Sequence, residues 1–231
     1  MFLAIDTSTE VCAAALGAGD RWEEREAHAG QRHGELLLPM IERLLADAGI
    51  ALDRLQGIAF GAGPGSFTGL RIACGVAQGL ALGADLPVVG VSTLEAIAET
   101  LRRREGASKV VAALDARMGE IYVAAYEHDG SRWRESCAPA VVVPQLAIIP
   151  EGTGWIGAGN GFSAYASARE RFAVSLAAWY GDVTPAARAI GMLAEPRFAA
   201  GEGVPARDAH PMYVRHRVAL TTAERDAGAR R

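Results

Sequence analysis

A chain of 231 residues is long enough for one large domain or two small ones, each with its own core. Its formal net charge of −4 argues against a protein that grips nucleic acid unaided, because phosphate binding depends on clustered Lys and Arg. Half of the residues are hydrophobic and 22% are charged, which excludes a largely disordered chain.

The composition also indicates a reducing, aqueous compartment. The three cysteines are widely spaced, odd in number and set among small apolar residues, which predicts buried free thiols. The opening apolar residues reach Asp6 at once, and the uncharged run at residues 72–84 is shorter than the ~18–20 residues that span a bilayer. We therefore expect a cytoplasmic protein without membrane contact.

Three antiparallel strands are predicted first, over residues 2–6, 11–16 and 22–27. The third strand carries many charges, which suits an exposed edge of a sheet. The tip of the first hairpin brings a carboxylate and two hydroxyls together at Asp6, Thr7 and Ser8.

A helix is predicted over residues 34–48, where apolar residues recur at helical spacing. This stripe consists of Leu37, Ile41, Leu44, Leu45 and Ala48. Three further apolar residues fall outside it, namely Leu36, Leu38 and Met40, so the helix needs cover on two sides. Since proline is awkward inside a helix, either the first turn is irregular or the helix begins close to Pro39.

Residues 61–71 hold four glycines and a proline between a predicted buried strand, residues 55–60, and a helix, residues 66–84. This loop either aims backbone N–H groups at an anion or forms a sharp structural turn. The helix has two small-residue stripes on nearly opposite faces, Gly75, Gly79 and Gly83 on one and Ala73, Ala77 and Ala81 on the other. Because each interior glycine costs roughly 0.5–1 kcal/mol, the stripes predict another backbone close by.

A strand over residues 87–91 and a helix over residues 92–103 complete a ribonuclease-H-like order of elements. Polar residues 102–109 then predict a boundary between an N-terminal lobe, residues 1–106, and a smaller C-terminal lobe, residues 107–231. The second lobe opens like the first, with a strand over residues 110–114 that ends at Asp115. Strands over residues 121–126 and 133–143, a strand and loop after Pro150 and a helix over residues 186–194 follow. The tail, residues 221–231, is expected to fray or to pack back on the first lobe.

Two aspartates at strand ends are the candidates for nucleotide chemistry. Asp6, with Thr7 and Ser8, and Asp115, with Arg117, could hold a metal-bound nucleotide between the lobes. Alternatively, each carboxylate accepts hydrogen bonds from its own turn. The P-loop and dinucleotide-binding glycine patterns are both absent, which weakens the nucleotide interpretation.

The sequence offers no complete catalytic or metal-binding constellation. His28 and His33 lack acidic or cysteine partners at ligand spacing. Ser66 and Ser92 lack a histidine and carboxylate in a nucleophile motif. We expect no catalytic residue and no metal site.

Six segments together form a specific pattern that covers nearly the whole chain. They are AIDTST at residues 4–9, His33 with LLP at residues 37–39, GPGSFTGLRIA at residues 63–73, GVSTLEAIA at residues 90–98, LDARMGEIY at residues 114–122 and PMYVR at residues 211–215. In this order they resemble the TsaB (YeaZ) family. The segment between residues 127 and 181 resembles it only loosely.

The resemblance implies an actin-like ATPase fold, with two mixed-sheet lobes flanked by helices and a reduced second lobe. It further implies a non-catalytic scaffold in making threonylcarbamoyladenosine beside the anticodon of tRNAs that read codons starting with A. The implied partners are the paralogue TsaD, in a heterodimer, and the ATPase TsaE. No cofactor is then tightly bound, and ATP and magnesium belong to the partner subunits. Contact with tRNA is indirect, and the chain alone could form a homodimer.

The resemblance also gives the surplus apolar surface a role as the interface for TsaD. The predicted interface residues are His33, Leu36, Leu37, Met40, Phe67, Arg71, Gly75, Ala77 and Gly79. The residues predicted to remain from a degenerate nucleotide site are Asp6, Thr7, Ser8, Asp115 and Arg117. Two alternatives are a stand-alone actin-fold ATPase or phosphotransferase, supported only by the two aspartates, and a metallopeptidase.

Overall fold

The computed structural model describes residues 1–215 and contains two five-stranded sheets with helices on their faces. The predicted tail, residues 221–231, lies outside the described residues. The first sheet has the order β3-β2-β1-β4-β5. Its strands are β1 (Phe2–Asp6), β2 (Val11–Ala18), β3 (Arg21–His28), β4 (Ile58–Gly63) and β5 (Val88–Ser92).

The pairing directions in the first sheet follow from the lengths of its connections. Short turns join β1 to β2 and β2 to β3, and both pairs are antiparallel. Helices join the later strands, so β4 lies parallel to β1 and to β5. The charged β3 forms one edge, as predicted.

The second sheet repeats the topology of the first, strand for strand. Its order is β8-β7-β6-β9-β10, with antiparallel pairing among the first three strands and parallel pairing of β9 with β6 and β10. The strands are β6 (Lys109–Asp115), β7 (Ile121–His128), β8 (Trp133–Val142), β9 (Trp155–Ala158) and β10 (Leu176–Tyr180). Asp115 ends β6 as Asp6 ends β1, so the predicted correspondence of the two aspartates is confirmed.

Six α-helices lie among the described residues, and two of the three in the second half have seven residues or fewer. They are α1 (His33–Ala48), α2 (Phe67–Ala84), α3 (Thr93–Glu105), α4 (Gly161–Ala164), α5 (Ala166–Phe172) and α6 (Ala187–Ala199). The second lobe is therefore reduced in its helices and complete in its sheet. Helix α1 begins at His33 and continues through Pro39, so the proline does not mark its start.

The core of the first sheet has helices on both faces. Helices α1 and α2 cover one face with a cluster that includes Leu37, Ile41 and Ala77. On the other face, Ile190 and Ala194 of α6 pack with Val89 and Val91. Helix α3 contacts this side too and also packs on the second sheet.

The predicted division of the chain at residue 106 does not hold for helix α6. It belongs to the predicted second lobe, residues 107–231, yet it packs on β1, β2, β4 and β5 of the first sheet. The edge of β5 is also covered, because Val88 and Val204 exchange backbone hydrogen bonds of 2.9 Å. The boundary thus separates two sheets, while α6 and Val204 return to the first lobe.

Helix α2 is long and apolar enough to cross a membrane, judged by length and composition alone, and no other helix in residues 1–215 is. The whole helix reaches this length, whereas its uncharged part, residues 72–84, does not. Its alanine stripe is buried against the sheet in the same cluster as α1. Because a core helix of an α/β protein meets the same criterion, the finding is weak evidence for a membrane.

Candidate functional site

The turn after β1 uses its polar groups within the protein. The Asp6 Oδ2 atom accepts hydrogen bonds from the Ser8 backbone N–H, at 3.1 Å, and the Ser8 hydroxyl, at 2.9 Å. Thr7 donates its hydroxyl to the carbonyl oxygen of Gly69 at 2.7 Å. The Ser66 N–H donates to the carbonyl oxygen of Ser8 at 2.8 Å. Asp6, Thr7 and Ser8 are all buried.

Three glycines allow the chain to lie directly on this turn. A Cβ at Gly69 would lie 1.8 Å from the Thr7 carbonyl oxygen, and one at Gly65 would lie 2.5 Å from that of Ser8. A Cβ at Gly61 would lie 1.9 Å from Asp6 Oδ1. No side chain can be added at these positions without displacing backbone or the buried carboxylate. The glycine-rich loop therefore serves as a close structural turn.

The residues of the turn do not fit a nucleotide phosphate. The hydroxyls of Thr7 and Ser8 donate within the chain, and the loop residues Gly65 and Gly69 stand against the turn's backbone. The Asp6 carboxylate accepts hydrogen bonds from its own turn, as the structural alternative predicts.

Burial sets the protonation of Asp6. Desolvation raises the pKa of its carboxyl group to about 7, against the opposing effect of the two hydrogen bonds from Ser8. The Oδ1 atom is the only buried side-chain nitrogen or oxygen in residues 1–215 that has no hydrogen-bond partner. It faces Gly61, where an added Cβ would lie 1.9 Å from Oδ1 and 3.3 Å from Ile190 Cδ1. An unpaired buried carboxylate oxygen favours the protonated form.

Asp115 also serves its own turn, in a more open setting. Its Oδ1 accepts from the Arg117 N–H at 2.7 Å and from the Tyr165 hydroxyl at 2.8 Å. The Arg117 guanidinium lies 3.0 Å from Asp115 Oδ2 and 3.5 Å from a carboxylate oxygen of Glu10 in the first lobe. Arg117 thus links the lobes as well as its own turn.

Helices α1 and α2 present apolar side chains to solvent along their outer faces. Leu38 is 43% exposed, Phe67 53% and Leu82 77%. Along α2, a Cβ at Gly75, Gly79 or Gly83 would meet no atom of the described part of the chain within 4 Å. We call this area of both helices, with its three glycines, the helical surface.

Three of the predicted interface residues do not belong to the helical surface. The side chains of Leu37 and Ala77 are completely buried in the core below α1 and α2. The prediction that these two residues contact a partner is therefore wrong, because their side chains are fully packed within the core between the helices and the first sheet. His33 is 6% exposed, and its ring nitrogen lies 2.9 Å from the carbonyl oxygen of Thr9. It anchors the start of α1.

The remaining predicted interface residues are accessible to different degrees. Leu36 and Met40 are partly buried beside the core, whereas Gly75 and Gly79 are exposed. Phe67 and Arg71 form a cluster with Tyr213, which the sequence did not single out as a site residue. The Arg71 guanidinium stacks 3.9 Å from the centre of the Phe67 ring and donates to the Tyr213 hydroxyl at 3.1 Å. The only signal for Tyr213 was its place in PMYVR.

Within residues 1–215, no group of three or more His, Cys, Asp or Glu side chains is placed to hold a metal ion. His28 instead lies 4.0 Å from the carboxylate of Glu10 on the surface. Burial raises the pKa of all three thiols, so Cys12, Cys74 and Cys137 are stabilised in the protonated form.

Comparison with known proteins identifies the family to which this architecture belongs. Residues 27–183 match the family model described as TsaD, tRNA N6-adenosine threonylcarbamoyltransferase. The tRNA threonylcarbamoyladenosine biosynthesis protein TsaB of Escherichia coli is 39% identical over 94% of this chain and 95% of its own length. The chain belongs to the TsaB family. TsaB of Haemophilus influenzae is 42% identical over 66% of this chain and 72% of its own length.

Solved structures of the family share the fold. One described as YeaZ from Pseudomonas aeruginosa has a TM-score of 0.84 and 40% identity, over 92% of this chain and 98% of its own. The likeness to a transferase is more limited. The tRNA N6-adenosine threonylcarbamoyltransferase of Novosphingobium aromaticivorans is 44% identical over only 33% of this chain and 22% of its own length. The fold is thus the actin-like one of the TsaB family.

Proposed function

We propose that this chain is a non-catalytic subunit in the synthesis of threonylcarbamoyladenosine beside the anticodon of tRNAs that read codons starting with A. It acts in the cytoplasm by binding TsaD and recruiting TsaE. The observation that carries the proposal is the helical surface, where apolar side chains and three glycines lie open while the polar groups of the Asp6 turn are used internally.

The energetics of the helical surface favour a protein partner. Each glycine inside α2 costs roughly 0.5–1 kcal/mol relative to alanine, and no atom of residues 1–215 occupies the space above Gly75, Gly79 or Gly83. A partner helix can approach closely there. Burial of a side chain as large as Leu82 or Phe67 contributes about 1.5–3 kcal/mol if complete. Together they suit the centre of an interface.

The chemistry of the proposed reaction belongs to the partners. With Asp6 buried and Asp115 paired to Arg117 and Tyr165, we assign ATP and magnesium to TsaD and TsaE and no tightly bound cofactor to this chain. Its net charge of −4 supports indirect contact with tRNA through the complex. Without TsaD, the same surface is available for a homodimer.

Substitution of Gly79 by leucine tests the proposal. Gly79→Leu fills the open space above α2 without touching the core, so we expect the chain to stay folded and its affinity for TsaD to fall at least tenfold by isothermal titration calorimetry. The control is Ala178→Leu, which adds the same side chain at an exposed position of β10. Equal affinity of wild type and Gly79→Leu for TsaD would contradict the assignment of this surface.

A further inference from the structure

The last described residues, 209–215, run across the first lobe and reach the second. We call this segment the strap. At its start, the carbonyl oxygen of Ala209 accepts hydrogen bonds from Gln78 Nε2, at 2.9 Å, and from the Cys74 thiol, at 3.6 Å. In its middle, the Met212 N–H donates to the carbonyl oxygen of Ala62 at 2.7 Å. The strap is thus fixed to α2 and to the end of β4.

One residue further, the strap joins the helical surface. The Tyr213 hydroxyl accepts from Arg71, and the Tyr213 ring lies 5.8 Å from the ring of Phe67. Tyr213 and Phe67 are both about half exposed. A partner that covers Phe67 and Arg71 must therefore contact or displace Tyr213.

Two residues beyond Tyr213, the strap reaches the second lobe. The Arg215 guanidinium donates to the carbonyl oxygen of Ala116 at 3.0 Å and pairs with a carboxylate oxygen of Glu120 at 2.7 Å. It also lies 3.7 Å from the sulfur of Met118. Arg215 therefore contacts three of the six residues between Asp115 and Glu120, which we call the DARMGE turn.

The DARMGE turn is strained and needs this support. Arg117 and Met118 have φ angles of 62° and 59°, in the left-handed region that residues other than glycine rarely adopt. Two such residues in succession persist only where surrounding contacts hold them. Arg215 supplies these contacts from outside, and the carboxylate of Asp115 supplies one from inside.

We propose that the strap couples the presence of a partner on α2 to the conformation of the DARMGE turn. The inference rests on the proposed function, since it requires that a partner binds the helical surface. Contact at Tyr213 shifts Arg215, which is two residues away, and Arg215 sets the backbone of the turn through Ala116. Since coupling between two binding sites is reciprocal, the state of the turn also affects affinity at α2.

Hydrogen–deuterium exchange of the full chain, alone and with TsaD, tests the coupling. In wild type we expect TsaD to slow exchange in α2 and to change exchange in the DARMGE turn by about fivefold or more, the lower end of the range for coupled sites. In Arg215→Ala, α2 is still protected by TsaD, whereas exchange in the turn no longer responds. The control Arg207→Ala removes an exposed guanidinium whose one ion pair within residues 1–215 is with Asp208, and it should behave as wild type.

Each other outcome overturns the inference, and the outcomes identify where it fails. A turn that responds equally in wild type and Arg215→Ala would mean that TsaD covers it directly. A turn that never responds, with α2 protected, would refute the coupling and leave the proposed function intact. Absence of protection in α2 would refute both. If Arg215→Ala does not fold, Tyr213→Phe removes only the hydrogen bond from Arg71, and it should reduce the response of the turn.

Discussion

At the scale of single residues, Asp6 shows how a position that suits chemistry can become structural. Its carboxylate ends β1 beside two hydroxyls, but Gly61 lies directly against Oδ1, with Ile190 next to Gly61, while Ser8 donates two hydrogen bonds to Oδ2. Burial favours the neutral acid, and a neutral, enclosed carboxyl group is poorly suited to hold a metal-bound phosphate.

The raised pKa of Asp6 predicts a pH dependence of stability. The unfolded chain releases this proton near the ordinary pKa of 3.8, whereas the folded protein holds it until about 7. Between these values the folded state binds more protons. The stabilisation is therefore complete below 3.8 and is lost as pH rises through 7, by up to about 1.4 kcal/mol per pH unit.

Urea denaturation at pH 5, 6, 7 and 8 measures this effect. Asp6→Asn removes the titrating group and keeps its shape, so its free energy of unfolding should fall less between pH 5 and pH 8 than that of wild type. The exposed carboxylate of Asp53 provides the control, and Asp53→Asn should follow the wild-type profile. Parallel profiles for wild type and Asp6→Asn would show that Asp6 is ionised in the folded protein over this range.

Part of this site could be predicted from the sequence. The place of Asp6 at a strand end beside Thr7 and Ser8 is local and was predicted, as was the correspondence with Asp115. Its enclosure was not, because Ile190 lies on a helix about 180 residues away in the chain. Tyr213 and Arg215 were missed as site residues for the same reason, since their partners are distant in sequence.

At the scale of elements, the two small-residue stripes of α2 have different environments. Alanine stripe members Ala73, Ala77 and Ala81 face the sheet, whereas Gly75 and Gly79 face solvent. Helical spacing predicted both stripes but not which one the sheet would cover. A methyl group buries apolar area against a sheet and a glycine does not, so the alanine face gains more from the core.

Two alanine substitutions within α2 should have opposite effects on stability. Gly75→Ala adds a methyl group in open space and removes the conformational cost of glycine, so the free energy of unfolding should rise by roughly 0.5–1 kcal/mol. Gly69→Ala places its Cβ 1.8 Å from the Thr7 carbonyl oxygen, so stability should fall by about 1–3 kcal/mol. Urea denaturation of both variants checks this, and stabilisation by Gly69→Ala would contradict the close contact of α2 with the Asp6 turn.

At the scale of the whole molecule, the chain is two copies of one sheet topology with unequal helices. The order of strands and helices along the first lobe was predicted because its strand and helix patterns are clear in the sequence. In the second half, α4, α5 and β10 were not predicted, since each is seven residues or shorter and carries little periodicity. The return of α6 to the first sheet depends on long-range packing that no local pattern records.

Taken together, these features favour a protein that uses the helical surface to bind another protein. Both candidate aspartates are engaged in their own turns, while Phe67, Leu82 and the glycines of α2 remain open. The central claim is that the chain acts in threonylcarbamoyladenosine synthesis by binding TsaD through this surface.

Reconstituted modification of unmodified tRNA tests that claim most directly. TsaD, TsaE and the threonylcarbamoyl adenylate donor are combined with wild-type chain, with Gly79→Leu, with the control Ala178→Leu, or without this chain. We expect modification with the wild-type and Ala178→Leu chains and its loss in the other two arms. Modification that proceeds equally well without this chain would contradict the claim.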